Sequence, residues 1–351
     1  MQEALELSTR ALNVPRDESS GARQLRLFAV VAVLCILGSA VFASWLPLPV
    51  SIVTVFLFAG PHNWMELRYF LMRLPVRFGR SRNFFLTAFI GLGVLTTTYV
   101  SLPLLYRTTL LSNDAWLSVI AVWNTLLLGW LSLLVWQRSK QKPRSDWTWF
   151  VPLTFALCAV NWFKPDLFSL ALVYIHPLVA LWFLDRHLRR TRSGWLQTYR
   201  RSLALVPLVL VVMIWQLGQT TSLAETNGLF WRITQHSGAD LLPGVSSHLL
   251  VSVHLFLEML HYAVWILALP LLTKLRQDDS AIRVWQMNSV PVARHPRGFP
   301  KTITLLLSVG FLVVLALWLG FSIDYSTTRD VYFTFAIAHV IAEAPFLLRM
   351  L

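Results

Sequence analysis

Charged residues are scarce in this sequence. Asp, Glu, Lys and Arg make up 13% of its 351 residues, whereas soluble proteins contain about 25%. Hydrophobic residues make up 56%, and the mean hydropathy is +0.59. This balance excludes a water-soluble enzyme and a disordered chain, and it indicates a protein embedded in a lipid bilayer.

Cysteine and the common nucleotide-binding and nucleophile motifs are also lacking. The two cysteines, Cys35 and Cys158, both lie in apolar runs, so neither a disulfide framework nor a thiolate metal cluster is predicted. The sequence contains no Walker loop, dinucleotide-binding glycine pattern, Gly-x-Ser-x-Gly elbow or His-Glu-x-x-His motif. Nucleotide-driven transport and serine hydrolysis therefore lose their usual support.

Long apolar runs recur through the chain and predict an all-α, polytopic transmembrane helix bundle. A helix needs about 20 apolar residues to cross a bilayer. Ten runs are read as spans, and the fifth is short and separated from the sixth only by residues 164–166. The ten predicted spans cover residues 25–46, 48–74, 84–106, 114–136, 147–163, 167–185, 200–218, 246–273, 302–323 and 330–350.

The distribution of basic residues predicts the orientation of the bundle. If the N-terminus is cytoplasmic, the inner side receives all of the 30 lysines and arginines except Arg107, Lys164, Arg232 and Arg329. This bias is the one expected of loops that stay in the cytoplasm. Both termini are then predicted to be cytoplasmic, and the net charge of +13 is explained by topology, so no nucleic-acid partner is predicted.

The chain is predicted to have a short cytoplasmic segment and one membrane domain. Residues 1–24 form the cytoplasmic N-terminal segment, and residues 25–351 form a single transmembrane bundle. No cleavable signal peptide is visible at the N-terminus. The expected location is a bacterial inner membrane, which the chain crosses several times. The longest outer loop, about residues 219–245, has no predicted function.

Three histidine–glutamate pairs lie inside the predicted spans. Ionisable groups inside a span cost several kcal/mol unless they are paired, ligated or hydrated. Three of the seven glutamates lie there, and each follows a histidine by four residues, a spacing that places both side chains on one helix face. The pairs are His62 with Glu66, His254 with Glu258, and His339 with Glu343.

The three pairs are predicted to lie at similar depths, because the second, eighth and tenth spans all run from outside to inside. His261, one turn below Glu258, adds a Glu-x-x-His motif of the kind found in di-iron carboxylate bundles. His176 in the sixth span is a further imidazole at middle depth. Imidazole and carboxylate ligands suit iron, zinc or manganese. The sequence therefore predicts a non-haem metal centre, with iron as the first choice and zinc or manganese as alternatives.

The predicted site residues come from these pairs and from His261. The predicted metal ligands are His62, His254, His261, His339, Glu66, Glu258 and Glu343. The three glutamates are also the predicted catalytic groups, or they orient the imidazoles from outside the ligand set. Seven groups exceed the needs of one ion, so either two ions or some non-ligating carboxylates are expected. The competing interpretation is that each pair only satisfies its own buried polarity.

Other polar residues of the spans receive structural interpretations. Asn124 and Asn161 are predicted to form interhelical hydrogen bonds. His187 follows an arginine at an inner span end, where contact with lipid headgroups or solvent is expected. His236 and His248 lie on the outer side and are not predicted as ligands.

The segment from Ala59 to Glu66 reads Ala-Gly-Pro-His-Asn-Trp-Met-Glu. It resembles the Gly-x-Pro-His-x-x-x-Asp segment of the Brp/Blh family, integral-membrane carotene dioxygenases that cleave β-carotene to retinal. That family holds non-haem iron with histidines from several helices. The resemblance therefore implies that His62 is an iron ligand and that Glu66 replaces the aspartate of the family.

The expected function is that of a membrane metal-dependent enzyme, an oxygenase or another oxidoreductase. Its expected substrate is lipid-soluble, such as a carotenoid or another isoprenoid that enters from the bilayer. Two alternatives use the same groups: a proton- or metal-ion-coupled transporter, and an intramembrane metalloprotease with a glutamate as general base. Membrane lipids and the lipid-soluble substrate are the expected partners, and the sequence leaves the oligomeric state open.

Overall fold

The computed structural model describes residues 18–75, 78–108, 112–142, 147–274 and 299–350, and these ranges are helical and contain no strand. The predicted all-α class is thereby confirmed. Most of the predicted N-terminal segment, residues 1–24, lies outside the described residues. The helices are α1 (Glu18–Trp45), α2 (Pro47–Arg73), α3 (Arg82–Thr108), α4 (Asn113–Gln141), α5 (Phe150–Phe163), α6 (Pro165–Thr191), α7 (Leu196–Leu203), α8 (Leu205–Leu217), α9 (Gly228–His236), α10 (Ser247–Ala263), α11 (Leu269–Lys274), α12 (Pro300–Ile323) and α13 (Tyr325–Met350).

Eight helical segments within the described ranges are long and apolar enough to cross a membrane. They are α1, α3, α4, α6, α7 with α8, α10 with its continuation, α12 and α13. Their outer faces carry large apolar side chains, such as Leu34, Trp215 and Leu319, which are 63%, 77% and 63% exposed. The chain is therefore a multi-pass membrane protein whose outer faces suit contact with lipid.

Two of the ten predicted spans are not among these eight, one because it is too short and the other because it is too polar. Helix α5 has 14 residues, about 21 Å at the helical rise, which is less than the roughly 30 Å of a hydrocarbon core. Helix α2 has 27 residues and is long enough, but its polar residues keep it outside the apolar set. Of these, His62, Glu66 and Arg68 are buried. Helix α2 therefore turns its polar face into the bundle.

The packing of α2 against α12 fixes which face of α2 is turned inward. Gly60 approaches α12 so closely that a Cβ added there would lie 3.1 Å from Val314 Cγ1. One turn later, the Trp64 indole donates a 2.9 Å hydrogen bond to a backbone carbonyl of α12. Residues two positions apart lie on nearly opposite sides of a helix. The side chains of His62 and Glu66 are therefore directed away from α12.

The short helix α5 and helix α6 form a hairpin, and this hairpin is hydrogen-bonded to α4. Lys164 ends α5, and α6 begins at Pro165. Asn124 of α4 donates to Asn161 Oδ1 at 2.8 Å, and Asn161 donates to the carbonyl of Ala121 at 2.8 Å. The predicted interhelical hydrogen bonds of both asparagines are thus confirmed, and they hold the hairpin in place.

The outer loop contains helix α9, which covers the outer ends of α2 and α10. The Asn227 side chain caps α9 by accepting from the Phe230 N–H at 2.9 Å. Ile233 of α9 packs in one apolar cluster with Leu48 of α2 and Val251 of α10. This docking brings the C-terminal end of α9 over the interior of the bundle.

The turn between α12 and α13 sets the start of the helix that carries His339 and Glu343. Asp324 Oδ1 accepts from the Thr327 N–H at 3.1 Å, as a helix N-cap does. The hydrogen bonds from the side chain and backbone of Thr327 lower the pKa of the Asp324 carboxyl. Its negative charge is therefore retained at neutral pH beside the positive end of the helix dipole.

Candidate metal centre

Four helices bring histidine and glutamate side chains together in the bundle interior. The contributing residues are His62 and Glu66 from α2, His176 from α6, His261 from α10, and His339 and Glu343 from α13. We call these six side chains the His/Glu cluster. Four of them, two histidines and both glutamates, are no more than 2% exposed.

The first part of the cluster joins α2, α10 and α13. His62, Glu66, His261 and His339 each offer one ligand atom, and these atoms all lie within 4.8 Å of one another. The His261 and His339 rings stand nearly perpendicular to the His62 ring, at centroid distances of 5.2 and 5.3 Å. Metal–ligand bonds of about 2.0–2.2 Å place the ligand atoms of one ion up to roughly 4.4 Å apart. The 4.8 Å limit on these four atoms is a few tenths of an ångström wider than this span, so small side-chain movements would let the four groups share an ion.

His176 connects the histidines to the second glutamate. Its Nε2 lies 3.0 Å from His339 Nε2, and its Nδ1 lies 3.2 Å from Glu343 Oε2. His176, His261 and Glu343 form a second group whose ligand atoms lie within 4.8 Å of one another. Because His261 belongs to both groups, the six side chains form one continuous cluster.

A backbone hydrogen bond orients the His62 ring. Its Nδ1 lies 2.8 Å from the carbonyl oxygen of Phe58. A carbonyl can only accept, so Nδ1 carries the proton and Nε2 keeps its lone pair. Metal-bound histidines are usually held in this way through the other ring nitrogen. His62 is therefore prepared to act as a ligand through Nε2.

Several polar atoms of the cluster have no hydrogen-bond partner within the part of the chain that the structure describes. They include both carboxylate oxygens of Glu66 and also Glu343 Oε1. Buried polar atoms in proteins are nearly always satisfied, and leaving a charged one unsatisfied is costly. A divalent cation would coordinate such atoms and balance two carboxylates. The donor set therefore fits a non-haem metal ion.

The second predicted pair, His254 with Glu258, lies apart from both metal-ligand groups. The His254 ring faces His236 at a centroid distance of 5.2 Å, and Glu258 Oε1 accepts from the Tyr262 hydroxyl at 2.6 Å. His254 precedes His261 by seven residues, which is two helical turns or about 10 Å further out. The structure thus brings the first and third pairs of the chain together with His261, and leaves His254 and Glu258 outside.

Helix α6 contributes His176 to the cluster, whereas the pair of His254 and Glu258 contributes no side chain to it. Sequence reasoning names His176 only as a further imidazole, because no glutamate four residues away marks it. The sequence indicates His176 through its depth inside a predicted span.

The expectation that His187 contacts lipid or solvent is wrong: this residue is buried, and its Nδ1 accepts from Arg73 at 2.9 Å.

A cavity of about 320 Å³ opens beside the cluster, within the range of roughly 300–1,000 Å³ that is typical of small-molecule sites. The cluster side is lined by His62, His176, His261, His339 and Glu343. The remaining wall is mainly apolar and includes Leu127, Leu172 and Ile337. Ile175 also lines the cavity and is 55% exposed, so the cavity extends to the lateral surface of the bundle.

Comparisons of the chain with protein-family models, with curated proteins and with solved structures found no match. The resemblance of residues 59–66 to the Brp/Blh family therefore stays a prediction. Function has to be argued from the geometry and chemistry of the site, because a helix bundle can serve many activities.

Proposed function

We propose that this protein is an integral-membrane, non-haem metal-dependent enzyme that modifies a lipid-soluble substrate. The observation that carries the proposal is the His/Glu cluster beside a largely apolar cavity that extends to the lateral surface of the bundle. A polar metabolite would lose its hydration on entering this cavity. An isoprenoid or acyl chain has no such cost, and it enters sideways from the bilayer.

The cluster residues would hold the metal. His62, Glu66, His261 and His339 are the first set of ligands, and the second group adds His176 and Glu343. Nitrogen and carboxylate donors without thiolates suit iron, zinc or manganese. We favour iron or manganese over zinc, because zinc has no redox chemistry and the proposed reaction is an oxidation; iron is the first choice because the resemblance of residues 59–66 implies it. When bound, the metal supplies Lewis acidity and the capacity to activate dioxygen.

The protein itself orients the metal ligands, excludes water and provides a carboxyl for proton transfer. The Phe58 carbonyl fixes the His62 ring, and the apolar wall keeps bulk water away from the reacting atoms. Glu258 lines the same cavity but belongs to neither metal-ligand group. Its carboxyl accepts a hydrogen bond from the Tyr262 hydroxyl. Of the three predicted glutamates, Glu258 is therefore the one best placed to give or take a proton at the substrate.

The proposed substrate class is an isoprenoid or acyl lipid. The resemblance of residues 59–66 to a carotene dioxygenase segment adds carotenoids as a class to be tested, with oxidative cleavage as the reaction. The proposed setting is a bacterial inner membrane with the N-terminus in the cytoplasm. The distribution of basic residues supports this orientation.

Proton- or metal-ion-coupled transport is the second candidate function. It is favoured by the series Glu343, His176 and His339, whose side-chain atoms lie within 3.2 Å from one residue to the next, because such a series can pass protons. Pro61 also lies inside α2 next to the cluster, where it removes one backbone hydrogen bond; this local weakening would let α2 bend as access alternates.

Metal analysis and lipid analysis together test the proposal. Protein purified in mild detergent should contain near-stoichiometric metal. Expression in a bacterium that makes β-carotene should change either the pigment or another lipid, as measured by mass spectrometry of the whole extract. His62→Ala should abolish both effects. His248→Ala should keep both, because His248 instead lies 2.8 Å from the Ser44 carbonyl.

Two outcomes contradict the enzyme proposal. The first is an extract in which no lipid depends on His62. The second is transport: if vesicles containing the protein move protons or metal ions in a manner that depends on Glu343, while all lipids stay unchanged, the transporter replaces the enzyme.

A further inference from the structure

The outer end of the cavity contains a second set of polar side chains. His236, at the end of α9, and His254 of α10 both line the cavity there, with ring centroids 5.2 Å apart. His254 and His261 are seven residues apart on one continuous α-helix, which corresponds to about 10 Å along its axis. A single cavity therefore joins this outer end to the His/Glu cluster.

A buried arginine flanks the outer end. Arg329 of α13 is 4% exposed, and its guanidinium carbon lies 4.6 Å from the centre of the Phe333 ring, which lines the cavity. The Arg329 charge interacts with both His236 and His254. Its Nε has no hydrogen-bond partner within the described residues. A cation inside the bundle is costly unless something compensates it. The Phe333 ring compensates part of this cost, and a bound anion would compensate the rest.

Glu258 does not provide this compensation by direct contact. Its carboxyl interacts with Arg329 electrostatically, but the ion pairs found among the described residues do not include Arg329. Glu258 instead accepts from Tyr262, which lies one turn further inward. The guanidinium supplies one positive charge, and the two neutral imidazoles add one N–H donor each, so the outer end offers several N–H donors against a single carboxyl.

We propose that the outer end of the cavity, which is lined by His236 and His254 and has Arg329 beside its Phe333 wall, binds the oxyanion head group of the lipid substrate, a phosphate or a carboxylate. This inference rests on the proposed function, because the chain of the lipid would extend along the cavity to the His/Glu cluster. Arginine suits both anions through its planar set of N–H donors. The inference narrows the substrate class to anionic isoprenoid or acyl lipids. It also places the reacting bond about 10 Å from the head group.

Paired lipids that differ only in the head group test the inference. Equilibrium binding to the purified full-length protein is measured for radiolabelled farnesyl phosphate and farnesol, and for palmitate and hexadecanol. The anionic member of each pair should bind at least about 10-fold more tightly, as expected for hydrogen bonds to a charged group. Arg329→Gln should remove this preference and leave binding of the alcohols unchanged, whereas Arg329→Lys should retain part of it.

Matched variants separate head-group binding from a purely structural role. Arg232 also lies on the outer side but pairs with Asp330, so Arg232→Gln should keep the full preference. If Arg329 serves only to balance Glu258, Arg329→Gln should lower thermal stability, Glu258→Gln should restore it, and the lipid preference should not change. That result overturns the inference. Displacement of farnesyl phosphate by an equal concentration of inorganic phosphate also overturns it, because the site would then bind a free anion.

The failure of this inference can be distinguished from the failure of the proposed function. His261→Ala is expected to lose metal but to keep the head-group preference, because His261 lies two turns further inward. Wild-type protein that shows the preference but never binds metal refutes the enzyme and leaves the head-group site standing. Wild-type protein that binds metal but shows no head-group preference refutes the head-group site and leaves the enzyme proposal standing.

Discussion

Replacing His261 with alanine should remove most of the bound metal. His261 is the residue shared by the two metal-ligand groups. Neither of its ring nitrogens has a hydrogen-bond partner of ordinary geometry within the described residues, and the substitution removes a backbone contact of the ring at Pro177. Loss of metal can then be attributed to the lost ligand rather than to a disturbed network of side-chain hydrogen bonds.

The size of the effect follows from the position of His261. Loss of a residue that only orients a metal ligand lowers affinity about 10- to 100-fold, so loss of a ligand shared by two groups should cost at least about 100-fold, or about 2.8 kcal/mol. At a free metal concentration of about 100 times the wild-type Kd, the wild type is then almost fully loaded and the variant about half loaded. The stabilisation by metal falls from about 2.7 to about 0.4 kcal/mol.

The assay titrates metal into depleted protein and follows both metal content and thermal unfolding. His254→Ala and His248→Ala are the matched controls, because both residues lie on α10 but outside the metal-ligand groups. Both controls should load like the wild type. Equal loading of His261→Ala and His248→Ala refutes the metal site. Equal losses in His261→Ala and His254→Ala refute the geometric argument and return the pair of His254 and Glu258 to the ligand set.

Gly91→Ala should destabilise the protein by about 1–3 kcal/mol, because the new Cβ would lie 1.8 Å from an indole nitrogen of α4; Gly93→Ala, where nothing lies within 4 Å, is the control in thermal unfolding. Asn161→Leu should cost about 1 kcal/mol by removing hydrogen bonds to α4, and an unchanged unfolding midpoint would contradict this. Tyr262→Phe should leave the metal content, measured by elemental analysis, unchanged, because its hydroxyl donates to Glu258. Lost metal would place that carboxyl among the ligands.

The helices and two of the three pairs could be predicted because they depend on local patterns. A span is recognised by its length and apolarity, and a pair four residues apart shares a helix face wherever the helix lies. Both patterns hold for His62 with Glu66 and for His339 with Glu343. Helix α5 differs from the prediction because its apolar run does not reveal that the helix begins only at Phe150.

The composition of the cluster could not be predicted, because it depends on which helices are neighbours. Helix α6 packs against both α10 and α13 and places His176 between His339 and Glu343. No spacing within α6 reveals this position. His254 and Glu258 have the same spacing as the other pairs, yet the helical rise carries them outward from His261. Spacing therefore identifies candidate ligands, and packing between helices selects among them.

The balance of charge is consistent with a cluster that excludes one predicted glutamate. The cluster contains two carboxylates, Glu66 and Glu343, and its histidines are neutral when they act as ligands. One divalent cation therefore gives a neutral site, which is the arrangement that an apolar interior tolerates best. A third carboxylate within the cluster would leave one negative charge there uncompensated by the ion. Glu258 lies instead beside Tyr262 and within the field of Arg329. The charge balance of a proposed single ion therefore agrees with the exclusion of Glu258 from the metal-ligand groups.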